Sequence, residues 1–237
     1  MSILGHNSRM CYSTESSLKT TTLSLIAIMY LFSSNDPHYK WLAITLVGWC
    51  IMQFAELLLW LTNPRMGCTE FNKLITMTLV PFALILQPLG ALFGSLYVIP
   101  WAKSTDFRKG FIVLYSILVV LAVSYFYYYK PYKTCTTVTR GGHLDWSTSN
   151  PNLPDTPINV VLYFIWGLMI SLPLFIFWNK NISIIMVLLL ILAFGFSHGL
   201  NTDSRASIWC YYTTHTSVIA SAFLLLKQTK IYDLLNQ

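Results

Sequence analysis

Charge is what this chain is short of. Asp, Glu, Lys and Arg make up 10% of its 237 residues, where a soluble domain usually carries roughly a quarter. With 55% hydrophobic residues beside them, the chain has too few charged groups to cover a water-facing surface. The shortage is sharpest inside the apolar stretches. Of nine acidic residues only Glu56 lies well within one, and no Lys or Arg is central in any. A hydrocarbon solvent imposes that distribution, because an unpaired charge at mid-bilayer costs about 2.5–3.5 kcal/mol on the insertion scale.

Other absences exclude function classes. There is no GxSxG elbow, HExxH pair, phosphate-binding loop or dinucleotide fingerprint, so the enzymes recognised by those motifs are set aside. No pair among the five cysteines has CxxC spacing, and neither a metal nor a cofactor is assigned. The last apolar stretch has no interior lysine, Lys227 standing at its end, which removes a retinal Schiff base and with it the photoreceptor reading. The formal charge of +6 comes from basic residues scattered singly through connecting segments. That pattern fits helix-end anchors and argues against nucleic acid as a partner. No internal repeat is visible, so the inverted-repeat signature of many transporters is missing. Residues 1–19 are mostly polar and no small-residue cleavage site follows the first apolar run, so that run is expected to be retained.

What the chain does have is apolar length. Seven segments stand out, at about 20–33, 41–61, 74–99, 110–129, 158–178, 182–200 and 207–226, most of them near or above the ~20 residues that cross ~30 Å of hydrocarbon. The expected fold is an all-α, polytopic transmembrane helix bundle of about seven spans. Residues 1–19 form a polar tail, 20–226 a single membrane domain and 227–237 a short C-terminal tail. The first segment reaches span length only if Leu18 and the threonines at 20–22 join the helix; without it the count is six. The third contains Pro81 and Pro88, each of which frees a carbonyl one turn earlier and predicts a kink. Gly90 and Gly94, like Gly195 and Gly199, have the small-xxx-small spacing of helices that pack closely in lipid. The segment 130–157, rich in proline and polar residues, reads as an extended loop over one membrane face, long enough to form a lid.

Seven spans place the N-terminal tail and the loops after spans two, four and six on one side, called side A here, with eight Lys or Arg; the opposite side B holds seven. The packing of Lys103, Arg108 and Lys109 into one short loop, with Lys227 and Lys230 directly after the last span, favours a cytoplasmic side B and a non-cytoplasmic N-terminus. Cys11, Cys68, Cys135 and Cys210 then share side A, and only Cys50 is mid-membrane. In an oxidising compartment those four can form two disulfides by any of three pairings; in a reducing one they are free thiols or metal ligands, although their spacing alone does not point to zinc.

Polar side chains gather in the same half. Gln53, Glu56 and Trp60 lie along one helical stripe, which should face protein or water. Glu56 sits about a turn and a half from the side-A end, shallow enough for water to reach. Gln87 lies near the middle of span three, His198 near the side-A end of span six, and His215 two turns into span seven. With Cys210 they can line one cavity open to side A, although a hydrogen-bonded packing role accounts for each histidine alone. His143, Asp145 and Trp146 of the long loop can help to close such a site, or belong to a solvated loop.

Met10-Cys11-Tyr12-Ser13, Gln53-Phe54-Ala55-Glu56 with Leu59-Trp60, Cys68 followed by Asn72, Gln87-Pro88 and Trp209-Cys210 together resemble an uncharacterised family of polytopic membrane proteins of large DNA viruses, algae and bacteria. The resemblance covers most of the chain and implies no specific activity. It directs attention to Cys11, Glu56, Cys68, Gln87 and Cys210, and Trp209 is a further candidate for the pathway or pocket. In that family the Met-Cys-x-Ser element opens the protein, whereas nine residues precede Met10 here, as an extension or as sequence before an alternative start.

Three functions remain. The first is a small transporter or channel for a cation, proton or small polar solute, with Glu56, Gln87 and His215 on its path. The second is an intramembrane enzyme acting on a lipid or other amphipathic substrate, with Glu56 as general acid or base and His198 or Cys210 assisting. The third is a structural or interaction protein, the aromatic run at 125–129 being an interfacial belt. The lipid bilayer is the partner common to all three, and each is compatible with a homo-oligomer.

Overall fold

The computed structural model describes residues 13–98, 101–129, 132–139 and 142–147, with isolated helical positions between 169 and 226. Helix α1 (Thr14–Ser33) starts six residues before the first apolar segment. The Ser13 hydroxyl accepts the Ser16 N–H at 3.2 Å and Glu15 sits in the first turn, a local start signal that competes successfully with the polar character of the tail. Leu18 and Thr20–Thr22 therefore do join the helix, which at ~1.5 Å per residue is about 30 Å long. A three-residue link ends at Asp36, whose carboxylate accepts the His38 N–H at 2.9 Å. Pro37, needing no donor at the first position, then opens helix α2 (Pro37–Leu61).

After a link containing Asn63 and Gly67 with positive φ, helix α3 runs Glu70–Val98. Its second turn, Ile75–Leu79, is a π-helix, and the expected break near Pro81 takes that form. The Val80 N–H bonds the Ile75 carbonyl, widening the backbone just before the proline, and the helix then continues through Pro88. Thr76 and Thr78 hydroxyls donate to the carbonyls of Asn72 and Leu74 at 2.8 and 2.7 Å, supporting the backbone through the widened turn. Helix α4 spans Asp106–Tyr129.

The all-α expectation needs correction within 130–157. Strand β1 (Tyr132–Val138) and strand β2 (Leu144–Ser147) form an antiparallel hairpin, with a register shift between Tyr132 and Thr137. The run Thr134-Cys135-Thr136-Thr137-Val138 is β-branched apart from the cysteine, which suits a pleated backbone, and Gly142 turns the chain at φ 86°.

The helices α2, α3 and α4 (in its stretch Asp106–Ser124) are long and apolar enough to cross a membrane. On the outer face of α4, Val113, Leu114, Ile117, Val120 and Leu121 are all at least half exposed, a face suited to hydrocarbon and costly in water. The expected spans at 158–178, 182–200 and 207–226 lie almost wholly outside the described residues, as do both tails apart from residues 13–19.

Helix α1 packs on α2, and α2 on α3, with α4 against the far side of α3. The α2–α3 contact is a backbone contact. A Cβ on Gly48 would collide with the Leu86 carbonyl oxygen, and Cβ atoms on Gly90 and Gly94 would lie 3.0 Å from the carbonyl oxygens of Thr45 and Trp41. Side chains interdigitate on either side of this seam. Leu31, Trp41, Leu42, Leu46 and Ala91 cluster toward side B with Leu224; Met52, Ala55, Leu59, Ile75, Val80 and Ala83 cluster toward side A. Gly48→Ala is expected to destabilise by about 1–3 kcal/mol, as overpacking does. Gly110, with open space around it, is the control: Gly110→Ala in the same detergent should unfold no earlier than the wild type. Equal melting of the two variants would show that the helices are not in backbone contact.

Candidate functional site

The polar stripe of α2 faces inward. Gln53 and Glu56 are both 0% exposed and Trp60 is buried, so Glu56 is sealed rather than open to water from side A as its shallow position led us to expect. Threonine and serine from α1 line the facing side. Thr20 Oγ1 lies 3.0 Å from Gln53 Oε1 and 3.1 Å from the carbonyl oxygens of Ser16 and Ser17. Thr20 can satisfy one end of the Gln53 carboxamide whichever way the amide is turned; the other end has no partner among the described residues. The hydroxyls of Ser17 and Thr21 are buried and likewise unpartnered there. Since α1 and α2 run antiparallel, the Thr20–Gln53 pair puts Ser17 at the level of Glu56, about one helical turn nearer side A.

The hairpin packs over the side-A ends of α2 and α3. Leu144 and Trp146 of β2 are buried in the cluster formed by Met52, Ala55, Leu59, Trp60 and Ile75, and His143 is buried beside them; this part of the long loop is therefore not solvated. Two fastenings hold it. Cys68, in the α2–α3 link, is disulfide-bonded to Cys135 of β1, with Cα atoms 5.8 Å apart. Asn72, 0% exposed, binds the backbone of the next residue as a strand would. Its Oδ1 accepts the Thr136 N–H at 2.8 Å and its Nδ2 donates to the Thr136 carbonyl at 3.1 Å and to Thr62 Oγ1 at 3.1 Å. The hydroxyls of Thr76 and Thr136 meet at 2.8 Å. Every polar atom of the Asn72 carboxamide is thus used on a buried partner, which is what makes such a network stabilising.

Lower in the bundle, Gln87 is buried on α3 next to the Gly48 contact, and its Oε1 has no partner among the described residues. The Tyr115 hydroxyl of α4 lies 2.9 Å from the Pro88 carbonyl and 2.6 Å from that of Met169, tying the proline segment to the last third of the chain. His215 is half-buried in a helical position. His198, Trp209, Cys11 and Cys210 fall outside the described residues, and the expected cavity that His198 and Cys210 were to share with Glu56 is therefore not described. Cys50 is a buried thiol. Among the described residues no cluster of His, Cys, Asp or Glu could hold a metal ion. Comparison with protein-family models, curated proteins and solved structures finds no match.

Asn72, Thr76 and Thr136 carry no charge and belong to no catalytic pattern, and sequence reasoning passed over them as site residues. The signal for the α1 lining was the Thr20–Thr22 run, polar residues where a span should be apolar. Asn72→Ala leaves the Thr136 C=O without its Asn72 donor, while the Thr136 N–H keeps its 3.1 Å bond to Thr76 Oγ1, and should cost roughly 1–3 kcal/mol. Asn72→Asp, keeping the acceptor and losing the donor, should fall between. Proteolysis within 132–147 under non-reducing conditions checks this: cleavage no faster in Asn72→Ala than in the wild type would mean that the disulfide alone holds the cap.

Proposed function

We propose that the chain is a small polytopic membrane transporter or channel for a cation, a proton or a small polar solute, with Glu56 as its ion- or proton-binding group. The observation that carries this reading is the complete burial of Gln53 and Glu56 in a helix long and apolar enough to span a bilayer. Ionisable residues in that setting are functional by default. The spare hydrogen-bonding capacity of Gln53, Ser17 and Thr21 at the same α1–α2 seam supports a polar guest. Gln87, one to two turns deeper on α3, extends polar character toward the bundle centre. In this reading α1 also crosses the membrane, and the segments 158–178, 182–200 and 207–226 bring the count to seven.

The cap supports the proposed orientation. A disulfide between Cys68 and Cys135 persists in an oxidising compartment, which favours side A outside the cytoplasm, as do the basic residues of the 103–109 loop. The hairpin over the side-A end also favours a second reading, an enzyme whose Glu56 pocket is reached from that face with the hairpin as its lid.

Flux through the full chain in liposomes tests the first reading. Proton or cation flux in the wild type and its loss, by at least about tenfold, in Glu56→Gln is the expected result. No wild-type flux under either gradient would remove the channel reading and leave the lidded pocket. Side assignment is checked separately in sealed cells. After mild reduction, a membrane-impermeant maleimide should label Cys68 and Cys135 from outside; labelling only after permeabilisation would reverse the orientation.

A further inference from the structure

Away from the polar seam, on an outer face formed by α1, α2 and α3, lies a groove of about 410 Å3. Its floor is made where the glycine contact draws α2 and α3 together, at Gly48 and Gly90, and its walls include Phe32, Ile44, Val47 and Phe93. The lining residues of α3 run from Leu86 to Phe93, so the groove is about 10 Å long, two thirds of the ~15 Å depth of one leaflet. A helix ~10 Å wide would need on the order of 800 Å3 over that length, about twice the space available. An alkyl chain is the occupant that fits.

The mouth toward side B has a different chemistry. Lys40 precedes Ile44 by four residues and Val47 by seven, which puts its side chain on the stripe of α2 that lines the groove. Lys40 is half-buried as a residue and in no ion pair among the described residues. The nearby Asp36 carboxylate is engaged by the His38 N–H and Nδ1 at 2.9 and 3.0 Å. Across the opening the Phe32 and Tyr97 rings meet with centroids 5.9 Å apart, bridging α1 and α3. An apolar slot, a cation at its interfacial end and an aromatic rim match one molecule, a phospholipid bearing a net negative headgroup.

We propose that this groove is a binding site for an anionic phospholipid of the side-B leaflet, one acyl chain lying over Gly48 and Gly90 and the headgroup phosphate held at Lys40. The site is separate from the Glu56 seam and requires only that the three helices cross the bilayer. On the orientation argued above, its leaflet is the cytoplasmic one, where anionic lipid is concentrated.

Native mass spectrometry of the full chain in neutral detergent, titrated with phosphatidylglycerol or phosphatidylcholine of identical acyl chains, tests it. The wild type should retain one phosphatidylglycerol about fivefold more tightly than phosphatidylcholine, the preference expected for one interfacial lysine. Lys40→Gln should erase the preference and leave phosphatidylcholine retention unchanged. Val47→Trp, a substitution at a position already half exposed, should fill the groove and lower retention of both lipids while leaving the melting temperature at the wild-type value. Equal retention of the two lipids by the wild type, a preference that survives Lys40→Gln, or unchanged binding in Val47→Trp would each overturn the proposal. So would a dimer that Val47→Trp dissociates, since a second copy would then be the occupant. The headgroup comparison with Lys40→Gln stands on its own should Val47→Trp fail to fold.

Discussion

Everything described here hangs on how closely α2 and α3 approach one another. In hydrocarbon there is no hydrophobic force to press helices together, so association depends on van der Waals contact and on polar groups finding partners. Gly48, Gly90 and Gly94 bring one backbone against the other, and this fixes the register of the two helices. That register sets the inward rotation of α2, and with it the burial of Gln53 and Glu56. It also brings Asn72, at the start of α3, level with Thr62 at the end of α2, and from there Asn72 reaches β1. The same approach hollows the outer surface where two side chains are missing, which is why the groove floor and the helix contact use the same glycines.

The two ends of the bundle solve a backbone problem in different ways. Toward side B, α1 and α2 are joined by three residues and capped by Asp36, leaving few peptide groups outside a helix. Toward side A a hairpin must be accommodated, and a two-stranded sheet in an apolar setting has open edges whose N–H and C=O groups need partners. Asn72 supplies them at Thr136, doing with a side chain what a third strand would do. The apolar face of β2 meanwhile gives Leu144 and Trp146 to the core. The result is a helix pair, α2 and α3, roofed by a small piece of β structure, with the one deeply placed carboxyl of the described residues on α2.

Much of this was legible in the sequence, for physical reasons that can be named. The missing charges marked α2, α3 and α4 as apolar helices, because hydrocarbon penalises every exception. The three- and four-residue intervals of Gln53, Glu56 and Trp60 gave one face, and the face is buried. The interval of Gly90 and Gly94 announced a close approach, although not to which helix. The hairpin was hidden by its threonines and lysines, which read as a polar loop until the β-branched run before Gly142 is weighed. The early start of α1 was hidden in the same way, since Ser13 and Glu15 look like tail until they are seen as a cap and a first turn. Pro81 signalled an irregularity, but its form, a π turn braced by Thr76 and Thr78, depends on packing that no local rule encodes. The partnership of Cys68 with Cys135, one of several arithmetically open, is set by tertiary structure alone.

That bond carries information about the order of assembly. Its two sulfurs are separated by 67 positions, and between them lie both α3 and α4. In the proposed topology Cys68 is delivered to side A first and waits while α3 passes away through the bilayer and α4 returns. Cys135 then joins it in the same compartment once both crossings have been completed. A chain that inserted one helix and left the other behind would hold its two thiols in different compartments, with no route to each other. Closure of the cap is therefore a receipt that the two helices have been handled alike: a molecule in which just one of them has crossed cannot form the covalent link.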